Sequence, residues 1–379
     1  MAVRILRSLE PFKNKITQGH ILNILKDFPD DSIHCSVTSP PYWGVRYYGT
    51  EPQIWGGDPE CNHKWKYYVQ KGQHGGTKHT KRKVKGRDNF QCFEDTRPAF
   101  CKCGAWLGEL GNEPHFELFI QHLATVYDQI RRVLRPDGTC WINITDAYWG
   151  AGSFSAGKMS KKLGKYQDKC MCMIPSRLAE ELILRGWIVR NMITWEKTNA
   201  MPESVTDRLT RKQETMIFLT KSKKYYFDLD SVRGDLAPAT IEREKYTRVP
   251  KTGKYAENPD NPNVQNYMRG PQTHPKGKNP GNVWSIPTRG YKGEHFAAYP
   301  EELLSIPILA GCPKDGFVLD PFIGSGTTAI AAKKLGRNFI GIELLPDYVK
   351  QANNRLNMKE NLQAVYGKDL RPLFKRPKK

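Results

Sequence analysis

Residues 317–343 constrain the fold of this 379-residue chain more than any other stretch. Phe317-Val318-Leu319-Asp320 is a short apolar run that ends on an acid. A loop with Gly324 and Gly326 follows, then an alanine-rich segment from about Thr327, then a second apolar run that ends on Glu343. The pattern predicts strand, glycine loop, helix, strand. The glycines permit a tight turn and let a ligand approach the backbone, while the helix start offers free N–H groups and the positive end of its dipole. Glu343, at the tip of the following strand, is placed to accept hydrogen bonds from a ribose diol. A lone glycine loop would be weak evidence; flanked in this way it is specific.

A second signal lies almost three hundred residues earlier. The apolar run Ile33 to Val37 reads as a buried strand and leads into Thr38-Ser39-Pro40-Pro41-Tyr42. Consecutive prolines hold the backbone extended and carry no N–H, so carbonyls there are free to accept from a ligand. Tyr42 then supplies a ring for stacking. The combination predicts a pocket for an aromatic amine such as the exocyclic amine of a nucleobase.

Together these residues resemble the amino-methylating DNA methyltransferases that use S-adenosylmethionine. The catalytic motif of that family corresponds to Ser39-Pro40-Pro41-Tyr42 and its cofactor motif to Asp320 through Thr327. The catalytic motif comes first, which resembles the circularly permuted beta class. His295 to Leu303 looks like the element ahead of that class's cofactor motif, and Trp195 to Ser204 like its loop beyond the catalytic strand. The resemblance implies a Rossmann-like α/β fold, a mostly parallel sheet with helices on both faces. It implies cofactor contacts from Thr38, His295, Asp320, Phe322, Gly324, Ser325, Gly326, Thr327 and Glu343. His20 departs from the related pattern, which often has an acid after glycine, and no cofactor contact is assigned to it.

Charge adds a partner. Lys and Arg number 59 against 39 Asp and Glu, a net +20 that suits a binder of the phosphate backbone of duplex DNA. A basic ribosomal or membrane-surface protein is the bland alternative. No apolar run is long enough to span a bilayer, and the N-terminal residues lack a signal-peptide core, so a cytoplasmic, reducing setting is expected. The family resemblance implies a prokaryotic or phage-encoded, nucleoid-associated enzyme with a possible cognate restriction endonuclease. Nine cysteines then read as thiols or metal ligands.

Along the chain, residues 1–59 are expected to form the catalytic part of the core and 113–228 its continuation. Helices are predicted over Phe116–Leu134 and Pro175–Arg185, with strands over Thr139–Ile144, Trp187–Trp195 and Thr215–Thr220. Residues 295–379 carry the cofactor part and a basic tail. Residues 60–112 read as an insertion with Cys61, His63, Cys101 and Cys103, and seven Lys or Arg between Lys71 and Arg87. These thiols and the imidazole are expected either to chelate Zn²⁺, with Cys92 as an alternative ligand, or to remain unligated. The basic run is either a solvated loop or a DNA contact. Cys170 and Cys172 read as small buried residues, and Cys35 and Cys140 as strand-core residues. Residues 229–294, rich in Pro, Gly, Asn and Lys, read as a target-recognition segment, with a disordered linker as the alternative.

The mechanism implied is direct methyl transfer to a flipped base stacked on Tyr42, its amine held by the Ser39 hydroxyl and the carbonyl between the prolines. In the resembled family a serine at this position is associated mainly with cytosine N4, and an aspartate with adenine N6. Adenine N6 stays open as the alternative, as do an RNA or protein methyltransferase and a DNA-binding protein without catalysis.

Overall fold

The computed structural model describes residues 8–45, 48–67, 99–150, 165–245, 273–289 and 299–360. Its centre is an eight-stranded sheet: β1 (Lys15–Gln18), β2 (Ile33–Thr38), β7 (Leu134–Ile144), β8 (Ile188–Glu196), β9 (Gln213–Thr220), β10 (Val283–Ser285), β11 (Phe317–Asp320) and β12 (Asn338–Glu343). The spatial order is β1-β12-β11-β2-β7-β9-β8-β10. Neighbours are parallel except around β9, which runs antiparallel to both β7 and β8. The expected mostly parallel α/β architecture is therefore present, with strands β12 and β11 inserted between β1 and β2 although they come last in the chain.

Alternation along the strands builds two cores. On β7 and β9, Cys140, Ile142, Ile217 and Leu219 enter one core while Trp141, Met216 and Phe218 enter the other. The first core is covered by α2 (Phe116–Val133) and α3 (Ile174–Leu184), the second by α5 (Glu301–Gly311) and α6 (Thr327–Lys334). Helix α2 forms where apolar residues recur at helical spacing, and the His115 side chain caps it by accepting from the Leu118 N–H at 3.3 Å. At its far end Arg132 donates to the carbonyls of Phe28 and Leu25, tying the helix to the segment ahead of β2. The Arg135-Pro136-Asp137-Gly138 stretch, which falls between the predicted helix and the predicted strand from Thr139, lies within β7 as an irregularity. Ile33 faces Leu134, but Cys35 already faces Thr139.

Three further differences from expectation have simple causes. A second, four-stranded antiparallel sheet occupies β3 (Gln53–Trp55), β4 (Lys66–Tyr67), β5 (Ala99–Phe100) and β6 (Trp106–Gly108), in the order β3-β6-β5-β4. Its strands are too short to show a period in sequence. It is joined to α2 by His122, whose ring stacks between Trp55 and Trp106 at centroid distances of 5.7 and 5.4 Å. Within the 229–294 segment, α4 (Pro238–Lys245) and β10 are ordered elements, β10 extending the main sheet beside β8; residues 246–272 lie outside the described residues. Cys172 is buried as expected, but Cys170 is exposed, because its neighbours pair the Tyr148–Met171 bridge at the surface. Cys35 and Cys140 are fully buried. Helices α1 (Ile21–Ile24) and α7 (Pro346–Glu360) complete the described α-helices, and among the described residues no helix is long and apolar enough to cross a membrane.

Candidate active site

Because β2, β11 and β12 are parallel neighbours, the loops that leave their C-terminal ends lie side by side. They enclose a cavity of about 740 Å³ lined on one flank by Ser39, Pro40, Pro41 and Tyr42, and on the other by Phe322, Gly324, Ser325, Thr327 and Glu343. The two motifs, remote in sequence, thus share one cavity. Thr38, Asp320 and Gly326 do not line it, and His295 lies outside the described residues.

Asp320 is a buried fastener. Its carboxylate accepts from the Thr38 hydroxyl at 2.5 Å, the Phe322 N–H at 3.0 Å, the Tyr299 hydroxyl at 3.1 Å and the Thr328 hydroxyl. The ends of β2 and β11 and the first turn of α6 are thereby held to one group. Burial pushes its carboxyl above the usual range, and these donors oppose the shift. Gly326 has φ +83°, and a Cβ there would come within 2.9 Å of the Ala352 Cβ, so only glycine lets α6 start against α7. Gly324, at φ +50°, donates its N–H to Glu343 Oε2 at 2.9 Å, while Leu345 N–H donates to Oε1 at 2.9 Å. Each carboxylate oxygen keeps acceptor capacity for a ligand. Burial pushes the Glu343 carboxyl up to about 7 against these backbone donors. Ser325 is engaged by α7, its carbonyl and hydroxyl accepting from Arg355 at 2.5 and 2.8 Å.

On the other flank the Ser39 hydroxyl donates to Tyr42 Oη at 2.9 Å, and Tyr42 donates in turn to Glu214 Oε2 at 2.6 Å. Asn143 Nδ2 reaches both, 2.8 Å from Tyr42 Oη and 2.6 Å from Glu214 Oε2, and Lys197 pairs with Glu214 Oε1. Burial first, then the Glu214 charge, holds the Tyr42 phenol well above its ordinary value, so it stays a donor. With its proton given to Tyr42, the Ser39 oxygen presents lone pairs only. Asn143 is buried, lines the cavity, and has no partner for Oδ1 among the described residues.

Sequence reading missed Asn143, Lys197 and Glu214. The β7–β9–β8 registers assemble them: Asn143 faces Met216, and Glu214 faces Trp195, two residues before Lys197. The available signal was a glutamate just ahead of the apolar run Met216 to Leu219. His20, given no role, lines the cavity with its ring edge-on to Trp55 at 5.0 Å; burial lowers its pKa and favours neutral imidazole. Asn199, in the loop beyond β8, clasps Thr288 through hydrogen bonds at 2.7 to 2.9 Å, while its neighbours Ala200, Met201 and Glu203 line the cavity. Cys61, His63, Cys101 and Cys103 come together in the small sheet.

Known proteins carry the same design. Residues 33–354 match the family model described as DNA methylase, of the N6/N4 type. The chain is 31% identical over 370 residues to the type II methyltransferase M.Cfr9I of Citrobacter freundii, covering 94% of this chain and 93% of that protein. It is 30% identical to the type II methyltransferase M.SmaI of Serratia marcescens over 353 residues, covering 90% of each. Its fold is similar to that of the PvuII DNA methyltransferase (cytosine-N4-specific), with a TM-score of 0.52 at 14% identity over 94% of this chain and 89% of that one. The chain belongs to the N6/N4 DNA methylase family, whose methyl donor is S-adenosylmethionine.

Proposed function

We propose that the chain methylates the exocyclic N4 of a cytosine flipped out of duplex DNA, with Ser39, Pro40, Pro41 and Tyr42 as the catalytic group. The carrying observation is the single cavity shared by that group and the glycine loop. The loop flank fits the cofactor: Glu343 can accept from a ribose diol, and Gly324 and Phe322 offer close backbone and an apolar face. Thr38, Asp320 and Gly326 support this flank from beneath. Bound there, S-adenosylmethionine supplies a methyl activated by its sulfonium.

The chain's own residues do the rest. The Tyr42 ring stacks on the flipped base. Ser39 Oγ and the carbonyl between the prolines accept from the two amine hydrogens, which frees the nitrogen lone pair from conjugation and aims it at the methyl. With the cofactor bound, the nitrogen–carbon bond would form as the carbon–sulfur bond breaks, its electron pair going to sulfur, and the methylated nitrogen would release its extra proton to solvent water. Positioning carries most of the acceleration. Glu214 also lines the cavity, but its carboxylate is paired with Lys197 and accepts from Tyr42 and Asn143, so the acceptors assigned to the amine, Ser39 Oγ and the carbonyl between the prolines, are neutral. That favours the cytosine reading of a serine motif; adenine N6 is the alternative.

The net charge of +20 supports DNA as the partner, and residues 229–294 are proposed as its recognition segment, with a restriction endonuclease of matching specificity as a companion. The test is methyl transfer to DNA, RNA and protein side by side, followed by sequencing of the DNA with a chemistry that separates N4-methylcytosine from N6-methyladenine. N4-methylcytosine in duplex DNA is expected. N6-methyladenine would overturn the base assignment, and transfer to RNA or protein alone would overturn the substrate.

A further inference from the structure

In the small sheet, Cys61 and His63 approach from the segment ahead of β4, and Cys101 and Cys103 from the turn between β5 and β6. All four ligand atoms lie within 4.8 Å of one another. Cys61 Sγ is 3.8 Å from Cys101 Sγ, and Cys103 Sγ is 3.4 Å from His63 Nδ1. Two sulfurs on a tetrahedral Zn²⁺ at its usual bond length would be about 3.8 Å apart, and a sulfur and a nitrogen about 3.5 Å. Two of the six edges of the cluster thus match a Cys3His zinc tetrahedron, and the other four are no longer than 4.8 Å.

The backbone is shaped to the same end. Cys101 N–H donates to the Ala105 carbonyl at 2.8 Å and Gly104 N–H to the Cys101 carbonyl at 3.1 Å, with Gly104 at φ +90°. This tight turn brings the Cys101 and Cys103 sulfurs within 4.8 Å of each other. The His63 ring rests on Trp65 at 4.9 Å. Strands β4 and β5, at two residues each, bury too little to hold themselves together. A cross-link between positions 40 residues apart would hold them.

We infer that Cys61, His63, Cys101 and Cys103 bind one structural Zn²⁺ that clamps the segment leading into β4 to the turn between β5 and β6. No water or substrate position is left on a four-ligand ion, so its role is structural. At the opposite edge of the same sheet β3 carries Trp55 into the cavity, so the clamp supports that wall through β5 and β6.

Elemental analysis of tag-free protein purified without chelator should find about one Zn²⁺ per chain, and cobalt substitution should give the intense visible bands of a tetrahedral thiolate site. Cys103→Ser should lose most of the metal. His63→Cys, which keeps four ligands, should retain it and guards against a variant that merely misfolds. Less than a tenth of an equivalent, with none taken up when Zn²⁺ is added to reduced protein, would overturn the inference. So would full Zn²⁺ content in Cys103→Ser. Metal content in Tyr42→Ala should be unchanged, which separates this result from the fate of the methylation reading.

Discussion

At the glycine-loop end of the cavity the groups that meet a ligand come from one uninterrupted stretch, Phe322 to Leu345, and much of what they offer is backbone. At the Tyr42 end they come from four separate stretches, and what they offer is a side-chain network of Ser39, Tyr42, Asn143, Lys197 and Glu214. The first end is set by local geometry and tolerates change poorly at glycines. The second depends on strand register, so its members are individually replaceable only to the extent that the others keep Tyr42 in place.

The sharpest break in this comparison is Tyr42→Ala. Loss of base stacking costs roughly 1–3 kcal/mol and misorientation of the amine adds to it, so single-turnover methyl transfer should fall at least about a hundredfold. S-adenosylmethionine affinity, read by calorimetry, should change little; full activity would remove the ring from the mechanism. Tyr42→Phe keeps the ring but loses three hydrogen bonds, so an intermediate rate is expected.

Gly324→Val should act on the opposite end. A β-branched residue at φ +50° is strained and crowds the loop, so affinity should drop about tenfold or more with the circular dichroism spectrum unchanged. Unaltered binding would take the loop out of the site.

Glu214→Gln tests whether the network positions Tyr42. Replacing a charge-assisted bond with a neutral one should cost about 1–2 kcal/mol, roughly a tenfold loss in kcat, with cofactor affinity preserved. A loss confined to cofactor binding would contradict the division between the two ends.

The smallest effect concerns pH. Folding raises the Glu343 carboxyl from 4.5 to about 7, so its protonated form contributes stability below about pH 4.5 that is lost as pH rises through about 7. A ribose diol donating to the carboxylate reverses that preference, so cofactor affinity should rise by up to about tenfold from pH 6 to 8, with proton release on binding near neutrality. Glu343→Gln should flatten the profile. A flat profile in the unaltered protein would mean that the diol is held elsewhere.

Residues 317–343 were legible because strand, turn and helix signals there are local, and a positive-φ turn admits few residues besides glycine. The Ser39–Tyr42 motif was legible as chemistry, but not the partners of its hydroxyls: Asn143 and Glu214 meet only through the antiparallel pairing of β9, and strand direction leaves no mark in a single strand's residues. Asp320 stood in the cofactor motif, yet its burial and four donors show a fastener, a distinction that depends on depth and not on residue type. β10, three residues in a proline- and glycine-rich stretch, is ordered by pairing with β8 and not by its own propensity.

The place of β11 and β12 has a consequence for how the protein is made. A ribosome releases β2 and β7 long before β11, and β1 waits for β12, to which it pairs from Lys15 opposite Ile340 to Gln18 opposite Glu343. Until the last strands emerge, one apolar edge of β2 has no neighbour, which is a template for association between unfinished chains. Contacts that close over more than three hundred residues, such as Asn14 with Asn338 at 3.1 Å, come late and slowly. The same late strands bring the cofactor loop, so sheet closure and methyl-transfer competence arrive together, and a chain interrupted before β11 has neither.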